Sequence, residues 1–210
     1  LEKLLKNLEK TYFGPEVGYI RRCFNRVMLS QMTLKGDLLD YGCGGSCWKE
    51  EYWPHFDSVT AAEIDKSALE EIEIAYPSAT LWHTENGVIE TQRKFDVILS
   101  SSVVGYILPV QADHHIASCA EFLKDDGQLI VTLVLAFNIW AFLGSKRLVD
   151  AGDGTSFAYH YRKRELVNLL KRHGFTKFEY FALGGRILGT WKFNQWAYRM
   201  FPRFGAIWSY

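Results

Sequence analysis

The chain alternates between two hydrophobic periods, and the switches between them mark its elements. Leu1, Leu4, Leu5 and Leu8 fall on one helical face, which Gly14-Pro15 ends. Residues 18–32 predict a second helix, with Ile20, Phe24, Val27 and Met28 facing inwards. The pattern then changes. Leu38-Leu39 reads as a buried strand that runs straight into Gly42, Gly44 and Gly45. Further strands are predicted at 58–63, 79–83, from Phe95 onwards, and at 128–135. The last is almost continuously apolar and β-branched, as a central parallel strand should be. Helical stretches lie between them: 48–52, cut short by Pro54; 66–75, with Asp65 as its N-cap; and 111–123, followed by the turn Lys124-Asp125-Asp126-Gly127. Counting a crossover between 83 and 95 as well, the order β-α-β-α-β-α-β-α-β argues for a doubly wound α/β sheet. Beyond it, 137–150 is apolar and then basic, 151–156 is a turn, and a helix from Glu165 ends at His173-Gly174. Residues 176–183 predict a sixth strand, 187–200 a helix and 204–210 a seventh strand.

Composition adds an upper bound and one asymmetry. A chain of 210 residues with 48% apolar content suits one α/β domain with a proper core. Its 24 basic and 24 acidic residues balance, but from His160 to the last residue ten Lys/Arg face two Asp/Glu. The final quarter is therefore basic, and rich in Trp, Phe and Tyr. Its arginines and lysines interleave with aromatic residues, among them Arg186, Trp191, Lys192, Trp196 and Arg199. Such a segment fits a solvated amphipathic helix packed on the sheet, or peripheral contact with an anionic membrane. Nucleic acid is the least favoured partner. The longest apolar run, 129–143, falls short of the roughly 20 residues of a membrane span. Cysteines at 23, 43, 47 and 119 suggest neither a disulfide framework nor a zinc site, and free thiols in a reducing cytoplasm are the expected state. No signal peptide is read at the start of the chain.

The chemistry concentrates where the first strand meets the glycines, in Asp40-Tyr41-Gly42-Cys43-Gly44-Gly45-Ser46. The carboxyl edge of an open α/β sheet is where ligands sit, and glycines allow close backbone approach. A carboxylate at 40 would repel a pyrophosphate but suits a ligand with a cationic end. A nicotinamide fingerprint also wants a third small residue where Cys47 stands. With Asp40, Gly42 and Gly44 in place, the stretch resembles motif I of the class I S-adenosylmethionine (SAM) methyltransferases. The strand V-T-A-A-E-I-D, the Phe95-Asp96 strand and the Glu165-Leu166 to Gly174-Phe175 element resemble later marks of the same family.

The resemblance implies a Rossmann-like, doubly wound seven-stranded sheet, mostly parallel with an antiparallel last strand. It also implies an N-terminal helical lid (1–36), a SAM-binding core (37–135) and a substrate-shaping remainder (136–210). It assigns Asp40, Tyr41, Gly42, Cys43 and Gly44 to the methionine part of the cofactor. Glu63 would take the ribose hydroxyls, Ile64 the adenine face, and Glu85 and Asn86 the adenine edge. Asp65 is the rival acid to Glu63, and a solvated turn is the rival reading of Glu85 and Asn86. Ser100 and Ser101 would border the cofactor, with Tyr106 and Tyr161 in the acceptor pocket. Tyr19 and Arg22 of the lid are weaker candidates for touching the ligand. Asp96 reads as structural.

SAM is already an activated methyl donor, so the fold needs no diagnostic catalytic residue; its product is S-adenosylhomocysteine. An oxygen acceptor gains from a general base, and His160 is the candidate, with helix capping or packing as the plainer reading. Adjacent His114 and His115 are expected at the surface, and no metal site is expected. The function implied is methyl transfer to oxygen, nitrogen or carbon of a small-molecule or lipid- or sugar-linked acceptor. Two alternatives stay open: a non-catalytic SAM-binding partner subunit, and an NAD(P)-dependent oxidoreductase.

Overall fold

Parallel strands buried on both faces must be apolar, and the most buried described stretches are 38–41 and 97–100; residues 128–131, expected as a central strand, are instead half-buried in the edge strand of the described sheet. The computed structural model describes residues 28–46, 48–84, 89, 91–133, 148–150, 157–159 and 161–179. Among them, β1 (Asp37–Tyr41), β2 (Ser58–Glu63), β3 (Thr80–His83), β4 (Phe95–Ser101) and β5 (Leu123–Thr132) form one parallel sheet in the order β3-β2-β1-β4-β5. Leu38 and Leu39 of β1 and Val97, Ile98 and Leu99 of β4 have no exposed surface. Helix α1 (Lys66–Ala75) leads from β2 to β3, α2 (Pro109–Phe122) from β4 to β5, and α3 (Lys163–Arg172) follows later. A short antiparallel pair, β6 (Leu148–Asp150) with β7 (Phe157–Tyr159), flanks the predicted 151–156 turn.

The chain divides into two units, Met32–Phe178, which holds the sheet, and Leu1–Gln31 with Glu179–Tyr210. The expected N-terminal lid, with Tyr19 and Arg22, and the basic aromatic segment lie outside the described residues.

Several expectations need correction. No α-helix follows β1; the chain makes two single 3-10 turns, Lys49–Glu51 and Trp53–His55, because Pro54 cannot donate to a longer helix. Residues 89 and 91–94, between β3 and β4, are not helical. The predicted turn at 124–127 lies inside β5 as a bulge: Leu123 pairs with Phe95, and Gln128 re-engages opposite Val97. The described part of the sixth strand, 176–179, joins no sheet; its remainder and the seventh strand lie outside the described residues.

A charged clamp closes the amino edge of the sheet, away from the glycines. Asp37 accepts from Ser58 Oγ (2.5 Å) and Arg93 (3.3 Å), and Lys124 Nζ bonds Asp96 (2.8 Å). Asp96 also accepts the backbone N–H of Asp37 (2.7 Å). These bonds hold both carboxyls below their usual range, the Ser58 hydroxyl being the main cause for Asp37 and the Asp37 amide for Asp96. Asp96 is thus structural.

Candidate functional site

In the order β3-β2-β1-β4-β5 the connections leave in opposite directions from β1 and β4, which opens a crevice at their carboxyl ends. The glycine loop after β1 enters it. Gly42 N–H and Cys43 N–H both donate to Ala62 O of β2 (2.7 and 3.2 Å), which pins the loop to the neighbouring strand. Gly42 (φ 76°) and Gly44 (φ 65°) are left-handed, a conformation that costs other residues about 1 kcal/mol or more. At Gly42 a side chain would collide with Val103 in the turn after β4, whereas at Gly44 it would meet none of the described residues. One glycine lets two loops touch; the other leaves a cradle.

Glu63 reaches into that cradle. Its Oε2 accepts from Gly44 N–H (2.7 Å), and its Oε1 from the N–H groups of Ile64 (2.8 Å) and Asp65 (3.2 Å). Asp65 turns the other way and caps α1, accepting from Ser67 N–H (2.9 Å) and Ser67 Oγ (2.7 Å). Of the two rival acids, Glu63 is therefore the one beside the glycines. Ile64 is 59% exposed next to it, an apolar side chain presented at the rim.

Asp40 is far less accessible than a direct ligand-binding acid would be, at 1% exposed. Its Oδ2 accepts from Lys49 Nζ (3.0 Å), Tyr52 Oη (2.8 Å) and Trp53 Nε1 (3.0 Å). Lys49 Nζ also bonds the Cys43 carbonyl (2.6 Å), so the 3-10 turns fold back to brace the glycine loop from beneath. The Cys43 thiol is pushed up strongly by burial, then by the Asp40 charge, and is no nucleophile. The Tyr41 side chain is buried and faces the core rather than the crevice.

The β4 side is held by polar pairs. Ser100 is fully buried, and its Oγ pairs with His115 Nε2 of α2 (2.9 Å). Ser101 Oγ pairs with Thr132 Oγ1 of β5 (2.9 Å). Ser102 turns left-handed at φ 63°, its N–H donating to Thr132 O (2.8 Å) and Thr132 Oγ1 (3.2 Å). Tyr106 follows, 52% exposed. Tyr161 is buried with Val104, Ala112 and Ile116, its ring 4.7 Å from Tyr159, and its hydroxyl has no hydrogen-bond partner among the described residues. Burial raises that hydroxyl to about 12.

His115 corrects the surface reading of the histidine pair. His114 lies outside the buried face, but His115 falls on the inward face of α2, against the Tyr41 ring at 4.1 Å. Burial lowers it to about 4, so it is neutral at physiological pH. Sequence reasoning also missed Lys49, Tyr52, Trp53, Val103 and Thr132. Only the W-K-E-E-Y-W run hinted at the first three, and its mixed character gives no period to read. Glu85, Asn86 and His160 lie outside the described residues. Among the described residues no cluster of His, Cys, Asp or Glu is able to hold a metal ion, and no helix is long and apolar enough to cross a membrane.

A family model described as a methyltransferase domain matches residues 18–180. No curated protein matches the chain. Solved structures do. The DhpI–SAM–HEP complex shares 15% identity over 80% of this chain and 83% of its own, with a TM-score of 0.64. A SAM-dependent methyltransferase of Clostridium acetobutylicum shares 16% over 82% and 86%, with a TM-score of 0.58. The 1,6-didemethyltoxoflavin-N1-methyltransferase of Burkholderia thailandensis, bound to 1,6-didemethyltoxoflavin and S-adenosylhomocysteine, shares 14% over 85% and 77%, with a TM-score of 0.63. At these identities the likeness establishes the fold.

Proposed function

The chain belongs to the methyltransferase-domain family, and on that premise we propose that it transfers a methyl group from SAM to the oxygen, nitrogen or carbon of a small-molecule acceptor. The observation that carries this reading is the Glu63 carboxylate bonded across to Gly44 at the switch point of the sheet. The residues present fit the cofactor. A carboxylate offers about four lone-pair positions, and three backbone amides occupy Glu63 among the described residues, leaving room for a ribose hydroxyl. The space at Gly44, clear of the described residues, and the exposed face of Ile64 suit a ligand lying along the loop.

The sulfonium supplies an electrophilic methyl group; the chain supplies position and dryness. Ser101 and Ser102, tied to Thr132, fix the end of β4 that borders the reacting centre in this reading. Tyr106 and the Tyr161 hydroxyl, which has no hydrogen-bond partner among the described residues, are the acceptor contacts, and Tyr161 remains a neutral donor at physiological pH. For a hydroxyl acceptor we assign the base to His160, which follows Tyr159 in the chain; the Tyr159 N–H bonds the Gly105 carbonyl. The 1,6-didemethyltoxoflavin-N1-methyltransferase among the structural neighbours, bound to 1,6-didemethyltoxoflavin, supports a small acceptor rather than a macromolecular one.

Calorimetric titration with SAM, S-adenosylhomocysteine and NAD tests the cofactor. SAM and S-adenosylhomocysteine bind and NAD does not; in Glu63→Ala both affinities fall by about tenfold to a hundredfold, the worth of a charge-assisted hydrogen bond. Binding of NAD alone would turn the reading into an oxidoreductase. Binding of SAM without turnover across an acceptor screen would favour the partner-subunit alternative.

A further inference from the structure

The acid that the motif provides for the cofactor's amino-acid end is already paired with a cation belonging to the protein. Lys49 Nζ donates to Asp40 Oδ2 (3.0 Å), to the Cys43 carbonyl (2.6 Å) and to Tyr52 Oη (3.0 Å), which places all three of its protons. It stands 5.6 Å from the Tyr52 ring centre and 5.4 Å from that of Trp53. Lys49 is 4% exposed and Asp40 1%. Burying two charges is costly, and an apolar pair of similar volume is often as stable, so packing alone gives this pair no reason to exist. Its position gives one: the ammonium holds the carbonyl between Gly42 and Gly44, within the loop that lines the crevice.

We propose that Lys49 is a specificity-determining residue, an internal counter-ion that cancels the charge of Asp40 so that the glycine loop accepts a ligand whose amino-acid end carries a carboxylate. This rests on the cofactor reading above and deepens it. With Asp40 alone, the loop would attract the ammonium of the ligand and repel its carboxylate, favouring analogues that lack the carboxylate. With Lys49 in place the pair is neutral, and the zwitterionic end is admitted. The two residues therefore push ligand preference in opposite directions, which a merely structural pair does not do.

The test measures three dissociation constants by calorimetry: for SAM, for decarboxylated SAM and for methylthioadenosine, which has no amino-acid end. The quantity read is the preference for SAM over its decarboxylated analogue. Lys49→Met, which leaves the Asp40 charge uncompensated, lowers that preference by about tenfold, and Asp40→Asn, which leaves the ammonium uncompensated, raises it by about tenfold. Methylthioadenosine, without charge at that end, measures the loss common to all three ligands when the brace on the Cys43 carbonyl is disturbed, and the preference for SAM is read against it. The side-chain amide introduced by Asp40→Asn keeps an oxygen for the same three donors, so this variant remains a test if Lys49→Met does not fold. Equal losses for all three ligands, or an unchanged preference in Asp40→Asn, would overturn the proposal. Failure of wild type to bind SAM and methylthioadenosine would instead sink the cofactor reading on which it rests.

Discussion

His115 shows how far burial alone sets the chemistry of a single residue. It lies between the Tyr41 ring and Ser100 Oγ, and burial is the cause of its shift. Its folded value of about 4 lies below the ordinary 6.5, so the unfolded chain binds the proton first as pH falls. The stability it contributes is complete above pH 6.5 and is lost progressively as pH drops from there towards 4. Between pH 7 and pH 5 this one group removes roughly 2 kcal/mol. Urea unfolding at both pH values, on wild type and His115→Leu, checks it. The variant shows a smaller stability loss on acidification, and an equal loss in both proteins would refute the assignment. None of this was legible from the sequence, where two adjacent histidines point to different faces and nothing says which face is inward. The place of Glu63 was more legible: as the acid that ends the second strand past a glycine loop it was read ahead of Asp65, and it stands beside Gly44.

At the scale of elements, apolar runs located strands well and loops poorly. β2 spans residues 58–63 as its pattern predicts, and β3 and β4 begin within one residue of theirs, since burial on both faces leaves no other solution for such runs. The first crossover was misread as a helix because W-K-E-E-Y-W carries helix formers, and the buried Lys49–Asp40 pair that its 3-10 turns make has no signature in periodicity. The two glycines of the loop make the contrast testable. Gly42→Ala must strain a left-handed residue and displace Val103, so it costs about 2 kcal/mol or more in folding stability. Gly44→Ala meets only the backbone term, about 1 kcal/mol, but puts a methyl group into the open cradle. Denaturant melts and SAM titrations on both variants separate the roles: Gly42→Ala loses more stability, and Gly44→Ala loses more affinity relative to its stability. The reverse ranking would show that the cradle lies elsewhere.

On the scale of the whole molecule, the groups assigned to the cofactor come from separate parts of the chain and converge only through the sheet order. The glycine loop follows β1, Glu63 ends β2 and Ser101 ends β4; parallel pairing of β1 with both neighbours is what brings them to one edge. A ligand that touches all three must bind the folded unit and not the unfolded chain, so its affinity appears as stability of the sheet. At a concentration one hundred times its dissociation constant, S-adenosylhomocysteine adds about 2.7 kcal/mol. For a chain of this size that corresponds to a rise in Tm of roughly 5–10 °C, growing with the logarithm of ligand concentration. Thermal unfolding across a ligand series measures the rise, and hydrogen exchange locates it. Protection should concentrate on the amides of Gly44, Ile64 and Asp65, which share the Glu63 carboxylate, and spare those of the Asp37–Asp96 clamp at the opposite edge. A rise in Tm without that local protection would mean that the ligand stabilises the chain from another place, and the crevice between β1 and β4 would then lose its claim as the site.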